Sequence, residues 1–166
     1  MIPAAQIIPL FVIIPLGGAF IISMIGRRVK RMPEIVATLT TISLLVCAFF
    51  ALRAINIYGI LVYSVGAWKA PIGINMVLDG LSSFMLVTVN LAVCIISIYA
   101  LSYMERFTSP WKFFTLFLLM LGGMNGVLIT GDIFNLFVFL EIAAIASFVR
   151  LDNSRSGRCH DARFKP

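Results

Sequence analysis

Five runs of apolar residues, each close to the length that crosses a bilayer, constrain this sequence more than any other feature. They occupy residues 4–25, 33–52, 78–103, 113–130 and 132–149. A helix needs about 20 mainly apolar residues to cross a hydrocarbon core of about 30 Å, and it satisfies its own backbone hydrogen bonds, as hydrocarbon demands. The sequence therefore predicts an all-α integral membrane protein with five transmembrane helices.

The composition excludes a soluble domain. Hydrophobic residues make up 61% of the chain and charged residues only 12%, so there are too few polar side chains to cover a core of this size with a polar shell. The net charge of +6 would be typical of a nucleic-acid partner in a soluble protein, but here the bases follow apolar runs. We expect the lipid bilayer to surround the chain, and no nucleic acid to bind it.

The basic residues predict the orientation of the helices. One side of the membrane receives Arg27, Arg28, Lys30, Arg31, Arg106, Lys112, Arg150, Arg155, Arg158, Arg163 and Lys165, whereas the other receives Arg53 and Lys69. Because cytoplasmic loops carry the excess of Lys and Arg, we predict that the amino terminus is outside and the carboxyl terminus is in the cytoplasm. The expected location is the plasma membrane of a prokaryote.

The connection over residues 53–77 predicts a short external hairpin between helices two and three. Residues 60–63 are typical of a strand, and Gly66, Pro71 and Gly73 are typical of turns. Asp79 then precedes an apolar run, where its carboxylate can accept the free N–H groups of a first helical turn. We therefore predict that Asp79 caps helix three.

The composition changes after residue 149. We divide the chain into a transmembrane helical domain, residues 1–149, and a basic polar cytoplasmic tail, residues 150–166. Because the tail has few apolar residues to bury, we expect residues 151–166 to be loosely ordered.

Glu141 is the candidate residue for function, because it lies near the middle of the fifth apolar run. It comes nine positions after Asp132, which is about 13 Å along a helix. An ionisable side chain at the centre of a span costs at least ~2.5 kcal/mol, so it is rare without a partner or a function. We favour proton or ion exchange by this carboxyl; the alternative is a hydrogen bond that only holds a neighbouring helix or subunit.

Three asparagines and several small residues also lie inside the apolar runs. Asn90, Asn125 and Asn135 could hydrate a proton path, although hydrogen bonds between helices are the favoured interpretation. Small residues predict close helix packing at Gly122, Gly123, Gly126, Ala143, Ala144, Ala146 and Ser147. The sequence holds no phosphate-binding loop, activated nucleophile or cluster of metal ligands, so we expect no cofactor, no bound metal and no bond-making chemistry in this chain.

Two motifs resemble the antiporter-like membrane subunits shared by respiratory complex I, Mrp-type multisubunit sodium/proton antiporters and membrane-bound hydrogenases. The first covers residues 68–82, with Pro-Ile-Gly-Ile at 71–74 and Asp-Gly-Leu-Ser at 79–82. The second covers residues 131–142, with Phe-Val-Phe-Leu-Glu-Ile at 137–142. The likeness extends over residues 1–149, the amino-terminal part of such a subunit, and the second motif is most similar to the Mrp D-type and hydrogenase branches.

The resemblance implies a function for Glu141. In such proteins the glutamate of the fifth helix translocates ions and is paired with a lysine on a later helix, beyond this sequence. The chain would then be a proton- or sodium-translocating subunit, with other membrane subunits and peripheral iron–sulfur subunits as partners in an oxidoreductase or hydrogenase-type complex. The sequence from Arg150 onwards is unlike the family, which leaves two alternatives: a structural or assembly subunit that moves no ions, or a truncated copy without the lysine helix.

Overall fold

The computed structural model describes residues 3–26, 28–29, 31–67, 73–104 and 110–162, and these residues form five α-helices and one β-hairpin. A short 3-10 helix, Pro3–Ile7, precedes α1 (Leu10–Ile25) and α2 (Met32–Tyr58). The strands β1 (Leu61–Ser64) and β2 (Asn75–Leu78) follow, and then α3 (Gly80–Met104), α4 (Pro110–Ile129) and α5 (Ile133–Ala162). Several residues used in the sequence analysis lie outside the described part: Arg27, Lys30, Trp68, Lys69, Pro71, Arg106, Arg163 and Lys165.

The predicted all-α membrane fold is confirmed. Four described segments are long and apolar enough to cross a membrane: Ala5–Ile25, Met32–Tyr58, Gly80–Leu101 and Pro110–Ile129. The apolar part of α5, Ile133–Val149, is shorter, about 25 Å at 1.5 Å per residue. These 17 residues are at the lower end of the length that crosses a hydrocarbon core, and the continuation of α5 beyond Val149 is polar.

Two helix ends were predicted wrongly. Helix two continues past residue 52 to Tyr58, where Gly59, with a φ of 75°, ends it and donates its N–H to the Ile55 carbonyl. Helix five continues to Ala162, although a loosely ordered tail was predicted from residue 151. Extending a formed helix adds one hydrogen bond for each residue fixed and needs no new nucleus, so a polar sequence can continue an apolar helix.

The predicted hairpin is confirmed, with β1 one residue later than predicted. The two strands are antiparallel, with Leu61 opposite Leu78 and Ser64 opposite Asn75. The Ser64 hydroxyl donates to the Asn75 side-chain oxygen at 2.9 Å. Only the first strand of the hairpin was predicted: residues 75–77 of β2 were assigned to the connection and residue 78 to the start of helix three. The strand that pairs with β2 lies more than ten residues earlier in the chain.

Asp79 caps α3, as predicted. Its Oδ1 accepts the backbone N–H of Ser82 at 2.7 Å, and its carbonyl oxygen accepts the N–H of Ser83 at 3.0 Å. The hydrogen bonds from Ser82 hold the pKa of the Asp79 carboxyl below its ordinary value, because they favour the ionised form. Asp79 is therefore the single residue between the end of β2 and the start of α3.

The helix α4 is the centre of the packing, with α1 on one side and α5 on the other, while α2 packs against α3. Its glycines make both contacts close. A Cβ at Gly122 would lie 2.5 Å from Leu16 of α1, and one at Gly123 would lie 2.9 Å from the backbone nitrogen of Ala143 in α5. The prediction that these glycines mark close helix contacts is therefore confirmed.

Candidate functional site

The orientation of α5 follows from its contacts with α4. Phe139 and Ala146 are buried, and a Cβ at Gly126 would clash with the Phe139 ring. Ala143 meets Gly123 on the same side. This inner face of α5, defined by Phe139, Ala143 and Ala146, leaves the opposite side of the helix turned away from the bundle.

Glu141 lies on the opposite side, which we call the outer face of α5: Phe137, Glu141, Ala144, Ile145 and Phe148, all of them exposed. Phe137 is 65% and Phe148 74% exposed, so the carboxyl is flanked along the helix by open apolar side chains. Within the described part of the chain, no hydrogen bond or ion pair of Glu141 is present. An unmatched carboxyl in such an apolar surface is costly in hydrocarbon, so a partner outside the described residues is expected.

Asn90 and Asn125 form a buried pair that joins α3 to α4. Their exposures are 1% and 0%. Asn90 Nδ2 donates to Asn125 Oδ1 at 3.0 Å and to the Leu86 carbonyl at 2.8 Å; Asn125 Nδ2 donates to Asn90 Oδ1 at 3.4 Å and to the Phe11 carbonyl at 3.3 Å. The amide nitrogen and oxygen of each side chain therefore have partners inside the bundle, as a packing role requires.

The bond from Asn125 to Phe11 has a cause that sequence reasoning missed. Pro15 lies inside α1, and a proline has no N–H to donate to the carbonyl four residues before it. That carbonyl belongs to Phe11, and Asn125 of α4 supplies the missing donor. The signal in the sequence was a proline in an apolar helix together with a buried amide elsewhere, but the pairing needs the three-dimensional contact.

Asn135 lies apart from that pair. It is in the first turn of α5, 7% exposed, and its Nδ2 donates to Thr130 Oγ1 at 3.1 Å. In the described residues no hydrogen bond joins Asn135 or Glu141 to Asn90 or Asn125. The structure thus places the three predicted asparagines in two separate contacts, one between α3 and α4 and one between α5 and the loop before it, neither of which reaches Glu141.

A row of buried polar side chains follows one face of α3. Ser83 and Ser97 lie seven residues before and after Asn90, and all three are 0–1% exposed. Neither serine hydroxyl has a hydrogen-bond partner within the described part of the chain. Among the same residues, no group of three or more His, Cys, Asp or Glu side chains is arranged to hold a metal ion.

Comparison with known proteins shows which proteins this chain is similar to. Residues 63–114 match the family described as NADH-ubiquinone oxidoreductase (complex I), chain 5 N-terminus. A Rhizobium meliloti protein, the D component of a probable K(+)/H(+) antiporter, is 34% identical over 143 residues, which are 82% of this chain and 26% of that protein.

Two solved structures have the same fold. A chain of the Mrp complex from Dietzia sp. superposes with a TM-score of 0.80 and 28% identity, covering 89% of this chain and 27% of the other. A chain of an archaeal membrane-bound sulfane sulfur reductase gives a TM-score of 0.81 and 28% identity, covering 87% and 30%. Over most of its length the chain is similar to antiporter-like membrane subunits, and it spans less than a third of the relatives that it matches.

Proposed function

We propose that this chain is a proton- or sodium-translocating subunit of a multisubunit membrane complex, and that Glu141 is the residue through which the ion passes. The position of Glu141 carries the proposal. The carboxyl lies on the outer face of α5, near the middle of the apolar segment Ile133–Val149, and nothing in the described bundle matches its charge. A carboxyl in that position can bind and release a proton or a cation when a neighbouring charge changes.

The relatives support the same proposal. The Rhizobium relative is described as part of a probable K(+)/H(+) antiporter, and both solved structures are of membrane complexes. We propose that the outer face of α5 meets other membrane-embedded protein, which would bring a cationic side chain to Glu141. Peripheral iron–sulfur subunits, a prokaryotic plasma membrane and an external amino terminus complete the proposed setting.

A test of this function is ion translocation by membranes that contain the assembled complex with Glu141→Gln. Glutamine keeps the size of the side chain but carries no exchangeable charge, so we expect a loss on the order of 10²-fold, as for other removed proton-transfer groups. Glu34→Gln is the matched control, because Glu34 lies in the first turn of α2. Translocation at the normal rate by Glu141→Gln, with normal amounts of complex, would refute the proposal.

A structural or assembly subunit is the second candidate. It is favoured by the buried Asn90–Asn125 pair, whose amide groups are all matched inside the bundle. In this case complex assembly depends on the close contacts of α4, and neutralising Glu141 has no effect on translocation. The experiment with Glu141→Gln therefore separates the two functions.

A further inference from the structure

The loop that connects α4 to α5 is bound to the β1–β2 hairpin. The Gly131 N–H donates to the Asn75 carbonyl at 2.8 Å, and Thr130 forms an antiparallel bridge with Met76. The strand β2 therefore has β1 on one edge and this loop on the other. A two-stranded hairpin alone is only marginally stable, so the added contact strengthens the hairpin and fixes the loop at the same time.

Gly131 is required for this contact. A Cβ at residue 131 would lie 2.7 Å from Val77 Cγ2 and 3.1 Å from the Asn75 carbonyl oxygen. Any side chain there would push the loop away from β2 or displace Val77. Gly80, at the start of α3, provides a contrast, because a Cβ at that position meets no atom within 4 Å.

The loop is in turn bound to the first turn of α5. Asn135 Nδ2 donates to Thr130 Oγ1 at 3.1 Å, and the Leu136 N–H donates to the Asp132 carbonyl at 2.9 Å. Asp132 Oδ1 also accepts the Phe134 N–H at 3.3 Å. A continuous set of hydrogen bonds thus runs from the hairpin through the loop to the start of the helix.

The distance from this anchor to Glu141 is short. Glu141 follows Asn135 by six residues, about 9 Å along a helix. A change of one residue in the position of α5 would move Glu141 by about 1.5 Å along the axis and turn it by about 100° around it. Because a helix is stiff over so short a length, whatever holds its first turn also sets the depth and direction of Glu141.

We propose that the β1–β2 hairpin is a positioning element for α5, with Gly131 and Asn135 as the positioning residues that hold Glu141 in place. The proposal rests on the proposed role of Glu141 only for its effect on translocation. The placement of α5 is a separate, geometric quantity, and it can be measured without any assumption about ion transport.

The experiment uses spin labels on the outer face of α5, attached one at a time at residues 144, 145 and 148 of a chain whose three native cysteines are replaced. The accessibility of each label to oxygen and to a water-soluble nickel chelate is measured in the membrane-embedded complex. We expect Gly131→Ala to change the accessibilities of the three labels relative to one another, because α5 would rotate or shift. We also expect it to reduce translocation. Gly80→Ala is the matched control and should leave both unchanged.

Two further variants make the result decisive. Val77→Ala removes the atom that a Cβ at residue 131 would meet at 2.7 Å, so adding it to Gly131→Ala should restore the label pattern. Should Gly131→Ala fail to accumulate, Asn135→Ala removes one link of the anchor and should change the pattern in the same direction, by less. An unchanged pattern in a well-assembled Gly131→Ala or Asn135→Ala protein would overturn the proposal. A changed pattern together with normal translocation by Glu141→Gln would uphold the positioning and refute the role of Glu141.

Discussion

The Asn90–Asn125 contact between α1, α3 and α4 differs from the outer face of α5 in how its polar side chains are paired. In the interior, the Asn90 and Asn125 amides and even the carbonyl freed by Pro15 find partners within the chain. On the outer face, Glu141 has no partner among the described residues, and its neighbours are exposed apolar side chains. A polar group that is matched inside the bundle stabilises the fold, whereas one that is left open on a surface has a use outside it.

The largest expected effect compares the two faces of α5 with one and the same substitution. Ala146 is fully buried, so Ala146→Leu should overpack the contact with the bundle and lower the free energy of unfolding by about 3 kcal/mol. Ala144 is exposed, so Ala144→Leu should change it by no more than about 0.5 kcal/mol. Thermal unfolding in detergent measures both. Equal losses would show that the outer face is also packed within this chain.

A smaller effect is expected from Asn125→Ala, which leaves the Phe11 carbonyl and Asn90 without a partner. The loss should be about 2 kcal/mol, because the groups left unmatched are buried. Asn56→Ala, at an exposed position in α2, is the control and should be neutral within about 0.5 kcal/mol. Denaturation in mixed micelles measures the difference.

The cause of that loss can be tested by a second substitution. Pro15→Ala provides the backbone N–H that α1 lacks, so that the Phe11 carbonyl can accept a bond within its own helix. Asn125→Ala should then cost less in the Pro15→Ala background than in the native chain. An equal cost in both backgrounds would mean that the contact with Phe11 contributes nothing.

The smallest expected change in stability comes from a comparison of two acids. Asp79 accepts a hydrogen bond within the chain, whereas Glu141 has no partner among the described residues. Asp79→Ala removes the cap of α3 and should cost about 1 kcal/mol near neutral pH. Because the folded chain lowers the pKa of Asp79, this contribution is present above its ordinary pKa of 3.8 and is lost as the pH falls through the lowered value. Unfolding measured from neutral pH downwards should therefore show the native chain and Asp79→Ala converging in acid, whereas Glu141→Gln leaves the stability of the chain unchanged.

Features that depend on local sequence were predictable, whereas features that depend on contacts between distant segments were not. The apolar runs, the strand near Tyr63 and the cap at Asp79 follow from length, composition and the chemistry of single residues. The strand β2 and the bond from Asn125 to Phe11 each need a partner far away in the sequence. Nothing local indicates which partner that is.

The candidate site shows the same limit. Glu141 is conspicuous in the sequence because it is an acid within an apolar run, and this alone made it the leading candidate. The direction in which it points follows from Gly123 and Gly126, which bring the inner face of α5 against α4. Sequence periodicity did not provide that direction, because α5 is apolar on both faces.

The close contacts on both sides of α4 have a mechanical consequence. At Gly123 the main chain of Ala143 lies against the α4 backbone, and at Gly122 the end of the Leu16 side chain does so from α1. Glycine has no side chain, so α4 contributes only its backbone to these two contacts. It therefore has no rotamer there that could change to absorb a small displacement. A displacement of α5 toward α4 therefore meets main chain at Gly123, where no side chain can yield, and we expect α4 and α5 to move as one rigid pair.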